Sequence, residues 1–372
     1  MVSLALSEEQ EALRSVVRQF LAARSSEAVV RELMATERGH DPDVWSQMAD
    51  QLGLQGLIVP EDLGGQGFGQ LELVVVLEEM GAALLCAPFF STVVLAANTL
   101  LVAGDRAAQE SVLPGIAEGR TIATLAVTEP SGRWDEAGIE AVASEQGGDW
   151  RITGTKAFVL DGHVADVVLV AARTPSGVSL FLVEGAATGL TRTLQPTLDA
   201  TRKQASLEMR DVEATLVGTE GKGWPVISKA LDLAAVGLAA EQTGGAQRCL
   251  DMAVEYAKVR VQFDRPIGSF QAIKHRCADM LLEVESARSA AYYAGVCAAE
   301  GSTELPAVAS LAKAYCSEAF FHVAGENIQI HGGIGFTWEH PAHLYLKRAK
   351  ASEVLLGSPT HHRELLAQRI GL

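Results

Sequence analysis

The chain has 372 residues, more than one hydrophobic core usually holds, so two or three domains are expected. Acidic residues outnumber basic ones, 46 to 30, for a net charge of −16. That balance argues against a nucleic-acid partner, which needs a basic surface to neutralise phosphates, and is read as a device for solubility. Hydrophobic residues make up 48% of the chain, enough for a large core. The cysteines Cys86, Cys249, Cys277, Cys297 and Cys316 show no CxxC spacing and no histidine partners at zinc distance. They are expected to be reduced core residues of a cytoplasmic protein, with no metal site. The N-terminus carries "SEEQ", a helix start, where a signal peptide would be apolar. No apolar run reaches the roughly 18 residues of a membrane span, Phe89–Leu101 being too short, so no membrane partner is expected.

In chain order, Ser7-Glu8-Glu9-Gln10 reads as a capping box, and "EEQEALRSVVRQFLAA" then repeats apolar residues at helical spacing. "DPDVWSQMADQLGLQGL" reads as a second capped helix. "VPEDLGGQGFGQLELVVVLEEMGAALL" opens with a glycine-rich loop and ends in a third. From Arg120 the pattern changes. "TIATLAVTEP", "WRITGTKAFVLDG", "DVVLVAAR", "VSLFLVE" and "QASLEMRDVEAT" are short β-branched runs broken by Gly, Asp and Pro. From Trp224 the helical period returns. The organisation is therefore α+β, with helices over 1–119, a small antiparallel β domain over 120–217 and helices over 218–372. No GxGxxG follows a strand to open a helix, and "GGQGFG" at Gly64–Gly69 reads as a loop.

Four segments carry a resemblance: "VPEDLGGQGFG", "AVTEP", "RVQFDRPIGSFQAIKHRCADM" and "QIHGGIGFTWEHP". In this order, on a helix–strand–helix layout, they resemble the acyl-CoA dehydrogenases over nearly the whole chain. "FTWEHP" and "GSPTHHRELL" resemble the actinobacterial branch that includes steroid side-chain enzymes. The resemblance implies an N-terminal helical domain, a middle antiparallel β domain and a C-terminal four-helix bundle. It also implies noncovalent FAD, an acyl-CoA substrate, an electron-transfer flavoprotein as acceptor, and a tetramer. Carried over residue by residue, Ala126, Val127 and Thr128 border the flavin ring edge and Phe158 covers a ring face. Core packing is the competing reading of Phe158. Arg260 and Gln271, with Gln329, Gly332 and Gly333, serve the pyrophosphate of a neighbouring subunit's cofactor, and Phe263 and Phe270 are further cofactor-binding residues. Ser358 and Thr360 complete the cofactor set. A glycine lets backbone approach a phosphate closely, although helix packing also favours glycine.

The departures concern the base. A general base must lie within hydrogen-bond reach of the proton it takes. The two places where members of the family carry that glutamate read Leu356, in "EVLLGSPTHHR", and Ala234. Ala235 stands where many members carry a substrate-binding Arg, and Trp134 where many carry a small Ser. Glu241 lies seven residues after Ala234, two helical turns or about 10 Å along the axis and on the same side. In the apolar stretch "VGLAAEQTGG" a carboxylate needs a partner or a job, so Glu241 is the candidate base, with a buried packing role as the alternative. Glu353 reads as a surface charge, and Glu339 as a structural acid.

The leading expectation is thus an FAD-dependent acyl-CoA dehydrogenase, a homotetramer using Glu241. The alternative is a non-catalytic subunit that completes a partner's flavin site in a mixed tetramer, with a steroid side-chain acyl-CoA as substrate. A helical scaffold without cofactor is disfavoured by the retained Arg260, Gln271 and "QIHGG".

Overall fold

The computed structural model describes residues 6–372. The reading of the N-terminus as free of a signal peptide falls in part on residues 1–5, outside the described residues. The helices are α1 (Glu8–Arg24), α2 (Glu27–Ala35), α3 (Pro42–Asp50), α4 (Gln70–Ala82), α5 (Asn98–Ala103), α6 (Arg106–Ala117), α7 (Gly223–Val259), α8 (Gln271–Ala299), α9 (Leu305–His331), α10 (Ala342–Val354) and α11 (Pro359–Arg369). The strands are β1 (Ala123–Ala126), β2 (Val142–Gln146), β3 (Asp149–Leu160), β4 (Val167–Thr174), β5 (Gly177–Glu184), β6 (Leu190–Gln195), β7 (Gln204–Val217), β8 (Val261–Gln262) and β9 (Arg265–Pro266). They form two compact units, each assembled from separate stretches. One takes the chain to Arg31, Gln70–Leu85 and Ala235–Leu372; the other takes Glu32–Gly69 and Cys86–Ala234.

In the first unit α1 begins as its sequence requires. Ser7 Oγ accepts from the Gln10 N–H at 3.2 Å, and Gln10 Oε1 accepts from the Ser7 N–H at 3.0 Å, which completes the capping box. Glu8, Glu9 and Glu11 crowd the first turn and Arg24 closes the last, the signs that the helix dipole favours. The expected first helix is α1; the chain then breaks at Ser25-Ser26 before α2, which was not anticipated, and Ser25 Oγ donates to the Ala83 carbonyl at 3.0 Å. α4 is buried from Leu73 through Gly81, Glu78 and Glu79 included. It touches α7 backbone to backbone, because a Cβ on Gly81 would stand 1.9 Å from the Glu241 carbonyl and one on Gly244 1.7 Å from that of Glu78. α9 packs against α8, α10 and α11 to form the bundle. α7 is long and apolar enough to cross a membrane by length and composition alone, which reading for apolar runs did not register. Its most apolar window is 67% buried in the protein, as in a core helix.

In the second unit the "DPDVWSQMADQ" helix starts on Asp41, whose Oδ1 accepts from the Asp43 N–H at 2.8 Å, with Pro42 at the first helical position. It stops at Asp50, sooner than the sequence pattern implied. Gly65 is obligatory in the following loop, since a Cβ there would lie 2.0 Å from the Val59 carbonyl. The expected strands are present, and β2 and β6 were not anticipated; both are short and polar, with little apolar alternation to betray them. The sheet is largely antiparallel, with parallel pairing of β1 to β4 and one parallel bridge from β2 to β4. The pairings β4–β5, β5–β7, β7–β3, β3–β2 and β2–β4 close a ring, with β1 and β6 attached outside it. Val168, Val170, Phe181, Leu207 and Met209 belong to its buried core.

Candidate functional site

The motif segment that follows α7 opens with a two-residue hairpin, β8 against β9. Phe263 and Asp264 both have positive φ, 52° and 59°. That is the signature of the turn that usually takes Asn-Gly, so Phe263 holds a conformation costly for its side chain. The Phe263 ring is 86% exposed and meets Phe270 edge-on at 6.0 Å, while the Arg265 guanidinium lies 4.0 Å over the Phe270 ring. The Ile267 N–H donates to the Arg260 carbonyl at 2.8 Å, which fixes the turn's base. Arg260 itself is exposed and has no side-chain partner among the described residues. Gln271, also exposed, begins α8.

The end of α9 converges on this turn. Arg276 on α8 pairs with Glu326 on α9 at 3.0 Å, and Tyr256 near the end of α7 stacks on His331 at 4.3 Å. Gln329 is exposed, and the chain turns at Gly332 with φ 62°. A Cβ on Gly332 or Gly333 would meet nothing within 4 Å, so helix packing does not account for either glycine. The structure therefore brings Arg260, Phe263, Phe270, Gln271, Gln329, Gly332 and Gly333 to one end of the bundle. Ser358 caps α11, its Oγ accepting from the His361 N–H at 3.3 Å, and Thr360 is exposed.

In the second unit Ala126 ends β1, and Val127 and Thr128 follow it, all three buried. Thr128 Oγ1 donates to the Ala157 carbonyl at 2.8 Å. Sequence reasoning missed Lys156. Fully buried, its ammonium donates to the Val127 carbonyl at 3.1 Å and to Glu129 Oε1 at 2.7 Å, and so props the "VTEP" segment from beneath. Burial pushes Lys156 down to about 8, against the pull of Glu129. A lysine in the β run "TKAFVL" was the available signal. Phe158 sits at a register shift of β3 against β7, with φ 58° and 43% exposure. A core phenylalanine would be neither exposed nor left-handed; strain of this kind collects at ligand sites. Trp134 is half-buried in the loop after "TEP".

The two positions expected to bear a base, Ala234 and Leu356, are apolar and buried, as is Ala235 at the place of the substrate-binding Arg. Glu241 is buried too, and its Oε1 accepts from Arg348 Nη1 at 2.6 Å, with Arg348 itself buried on α10. The partner that an apolar helix face demands of a carboxylate is this arginine, 107 residues away in sequence and invisible to periodicity. Glu353 pairs with Lys350 on its own helix at 2.6 Å, as a surface charge would. Leu356 has φ 62° and is held there. Buried Lys313 donates to the Glu353 and Gly357 carbonyls, both at 3.2 Å, and His362 Nε2 donates to the Leu356 carbonyl at 3.0 Å. Burial brings Lys313 to about 7; burial, with Lys313 close by, takes His362 to about 3. The described residues hold no group of three or more His, Cys, Asp or Glu fit for a metal, and the five cysteines are unbridged.

The helical and sheet units together have the fold of a flavin-dependent dehydrogenase family, and sequence comparison agrees. The acyl-CoA dehydrogenase N-terminal domain matches residues 7–120, the middle domain 124–212 and the C-terminal domain 221–371. The chain belongs to the acyl-CoA dehydrogenase family, whose members are FAD-dependent oxidoreductases. Among its relatives, acyl-CoA dehydrogenase IpdE2 of Mycobacterium tuberculosis is 38% identical, over 96% of this chain and 95% of its own. Of solved structures, the ChsE4–ChsE5 complex from Mycobacterium tuberculosis superposes with TM-score 0.91 at 32% identity, covering 99% of each chain. A steroid ACAD, Tcur3481–Tcur3483, gives TM-score 0.88 at 32% identity, covering 98% of each.

Proposed function

We propose that this chain is one subunit of a mixed oligomer that dehydrogenates a steroid-derived acyl-CoA between its α and β carbons. A related subunit supplies the base, and the electrons pass on to an electron-transfer flavoprotein. The observation that carries the reading is the fate of Glu241. A carboxylate held by a buried guanidinium is stabilised in its charged form and is a weak proton acceptor, and the Glu241–Arg348 distance is 2.6 Å. Leu356 and Ala234 offer no titratable group at the other two positions. Two structural relatives pair two chains, ChsE4 with ChsE5 and, in a steroid ACAD, Tcur3481 with Tcur3483, which supports both the partnership and the substrate class.

The residues present fit FAD: open space at Gly332 and Gly333, an unpaired exposed guanidinium at Arg260, and an exposed, strained ring at Phe158. When bound, FAD supplies the hydride acceptor. In this reading Arg260 and Gln271 bind the pyrophosphate, and the glycine backbone lets it approach. Phe158 lies on a ring face, while Val127 and Thr128, propped by Lys156, border the ring edge. Leu356, Ala234 and Ala235 exclude water without moving a proton. A second reading keeps the chain self-sufficient with Glu241 as base; the burial of that carboxylate in an apolar helix favours it.

Flavin counted per chain in protein produced alone decides between them. Sub-stoichiometric flavin that fills only on adding a related subunit is the expected result. A full complement, with flavin bleached by a steroid side-chain acyl-CoA and bleaching lost in Glu241→Gln, would replace this reading by the second.

A further inference from the structure

The first unit contains a cavity of about 810 Å³ beside the crossing of α4 and α7. It shares no residue with the candidate cofactor set. One wall is apolar, built by Leu21 and Val30, Leu84, Met252 and Leu344. The other carries four arginines, three of them committed. Arg14 and Arg288 reach Glu78 at 3.1 and 3.0 Å, and Arg18 reaches Glu79 at 2.7 Å. The remaining acids are engaged as well: Glu27 holds Arg31 at 2.8 Å, and Asp251 accepts from Gln247 at 2.8 Å.

Arg248 differs. Among the described residues no carboxylate lies within ion-pair distance of it, and its polar neighbour is the Tyr345 phenol, which donates to the Ala82 carbonyl at 2.7 Å. One donor beside it is unmet. Arg14 Nε is buried without a hydrogen-bond acceptor, the nearest Glu79 oxygen being 3.7 Å away. Buried donors without acceptors are rare in folded proteins because each costs its lost hydration.

We propose that this cavity is a binding site for a small amphiphilic monocarboxylate, with its head on Arg248 and its hydrocarbon body against Leu21, Val30, Leu84 and Met252. The volume lies in the range of small-ligand sites, which are mostly apolar with a few placed polar groups. A guanidinium fork matches a carboxylate in shape and charge. A neutral hydrocarbon would leave Arg14 Nε unmet and Arg248 without a counter-charge. A polyanion such as a nucleotide would be repelled by Glu27, Glu78, Glu79 and Asp251 of the lining, while Arg248 has no carboxylate of its own. One negative charge is what the site accommodates.

Isothermal titration of the purified protein with decanoate, and with decanol as the uncharged control, tests the assignment. Saturable binding of one decanoate per chain is expected, with decanol at least tenfold weaker. Arg248→Gln should weaken decanoate about ten- to one-hundredfold, the loss of one charge-assisted contact. Ala22→Trp, at an exposed position on the rim, should abolish binding while the melting temperature stays at the parent value. The proposal is overturned by absent binding, by equal affinity for decanol, or by Arg248→Gln binding as the parent does. Displacement of decanoate by equimolar octanoyl-CoA would also overturn it, since the probe would then occupy the substrate site.

Discussion

Two regions of the first unit treat their polar groups in opposite ways. At the turn after α7, Arg260 and Gln271 are exposed, Phe263 projects into solvent on a strained backbone, and Gly332 and Gly333 face open space. At the centre of the bundle, Glu241, Lys313 and Arg348 are buried and each has its partner. The turn spends conformational energy without a compensating internal contact, which is the mark of a surface made for something else. The centre resolves its charges internally, which is the mark of architecture. Charged residues at apolar helix positions thus mean different things according to whether the protein itself answers them.

The sharpest way to break this contrast is to unpair the centre. Arg348→Met leaves the Glu241 carboxylate buried without its guanidinium and should cost about 3–5 kcal/mol in denaturant unfolding. Glu241→Gln in that background should recover much of the loss. A cost below about 1 kcal/mol would mean that the pair does not hold the bundle, and would return Glu241 to the list of available bases.

The turn should respond in the reverse sense. Arg260→Ala removes a charge-assisted contact to cofactor worth about 1.5–3 kcal/mol, so flavin affinity should fall by one to two orders of magnitude while stability without cofactor is unchanged. Retention of flavin through gel filtration equal to the parent's would remove Arg260 from the cofactor set.

A third test uses pH. His331 stacks on Tyr256 at 4.3 Å and meets His340 at a tilt at 4.2 Å, beside the glycine turn. Burial lowers His331, His340 and His343 below the ordinary histidine value of 6.5. Tyr256 and Asn327 face His331; Glu27, Arg31 and Lys347 are the charges acting on the other two. A group neutral in the fold but protonated when unfolded stabilises the fold above 6.5 and loses that stability as pH falls. Each should contribute about 1.4 kcal/mol per pH unit between 6.5 and its folded value. Melting temperature should therefore drop from pH 7 to pH 5, and His340→Gln should flatten the slope. A profile flat over that range would contradict the burial assigned to these rings.

The smallest expected effect is at Phe158. Phe158→Gly relieves a left-handed φ and should leave stability equal or about 1 kcal/mol higher, while flavin retention falls. If stability drops by several kcal/mol instead, the ring is packing rather than facing a ligand.

The sequence alone determined the features that are settled locally. The capping box at Ser7, the cap at Asp41 and the helix–strand–helix order all follow from side chains acting on backbone a few residues away, which periodicity and cap chemistry report directly. The motif segments also named residues that the fold brings to one end of the bundle, Arg260, Gln271, Gln329 and Gly332 among them, because these lie within short stretches of chain. What tertiary structure decided was every partnership across long sequence separation. The ring closed by β2 and β4 joins Val142 to Arg173 through one bridge. Lys156 reaches Val127 across a strand, and Arg348 answers Glu241 from another helix. Arg248 is left without a carboxylate while its neighbours have theirs. A buried charge declares in sequence only that it needs a partner; which group meets it depends on how helices far apart in the chain pack together.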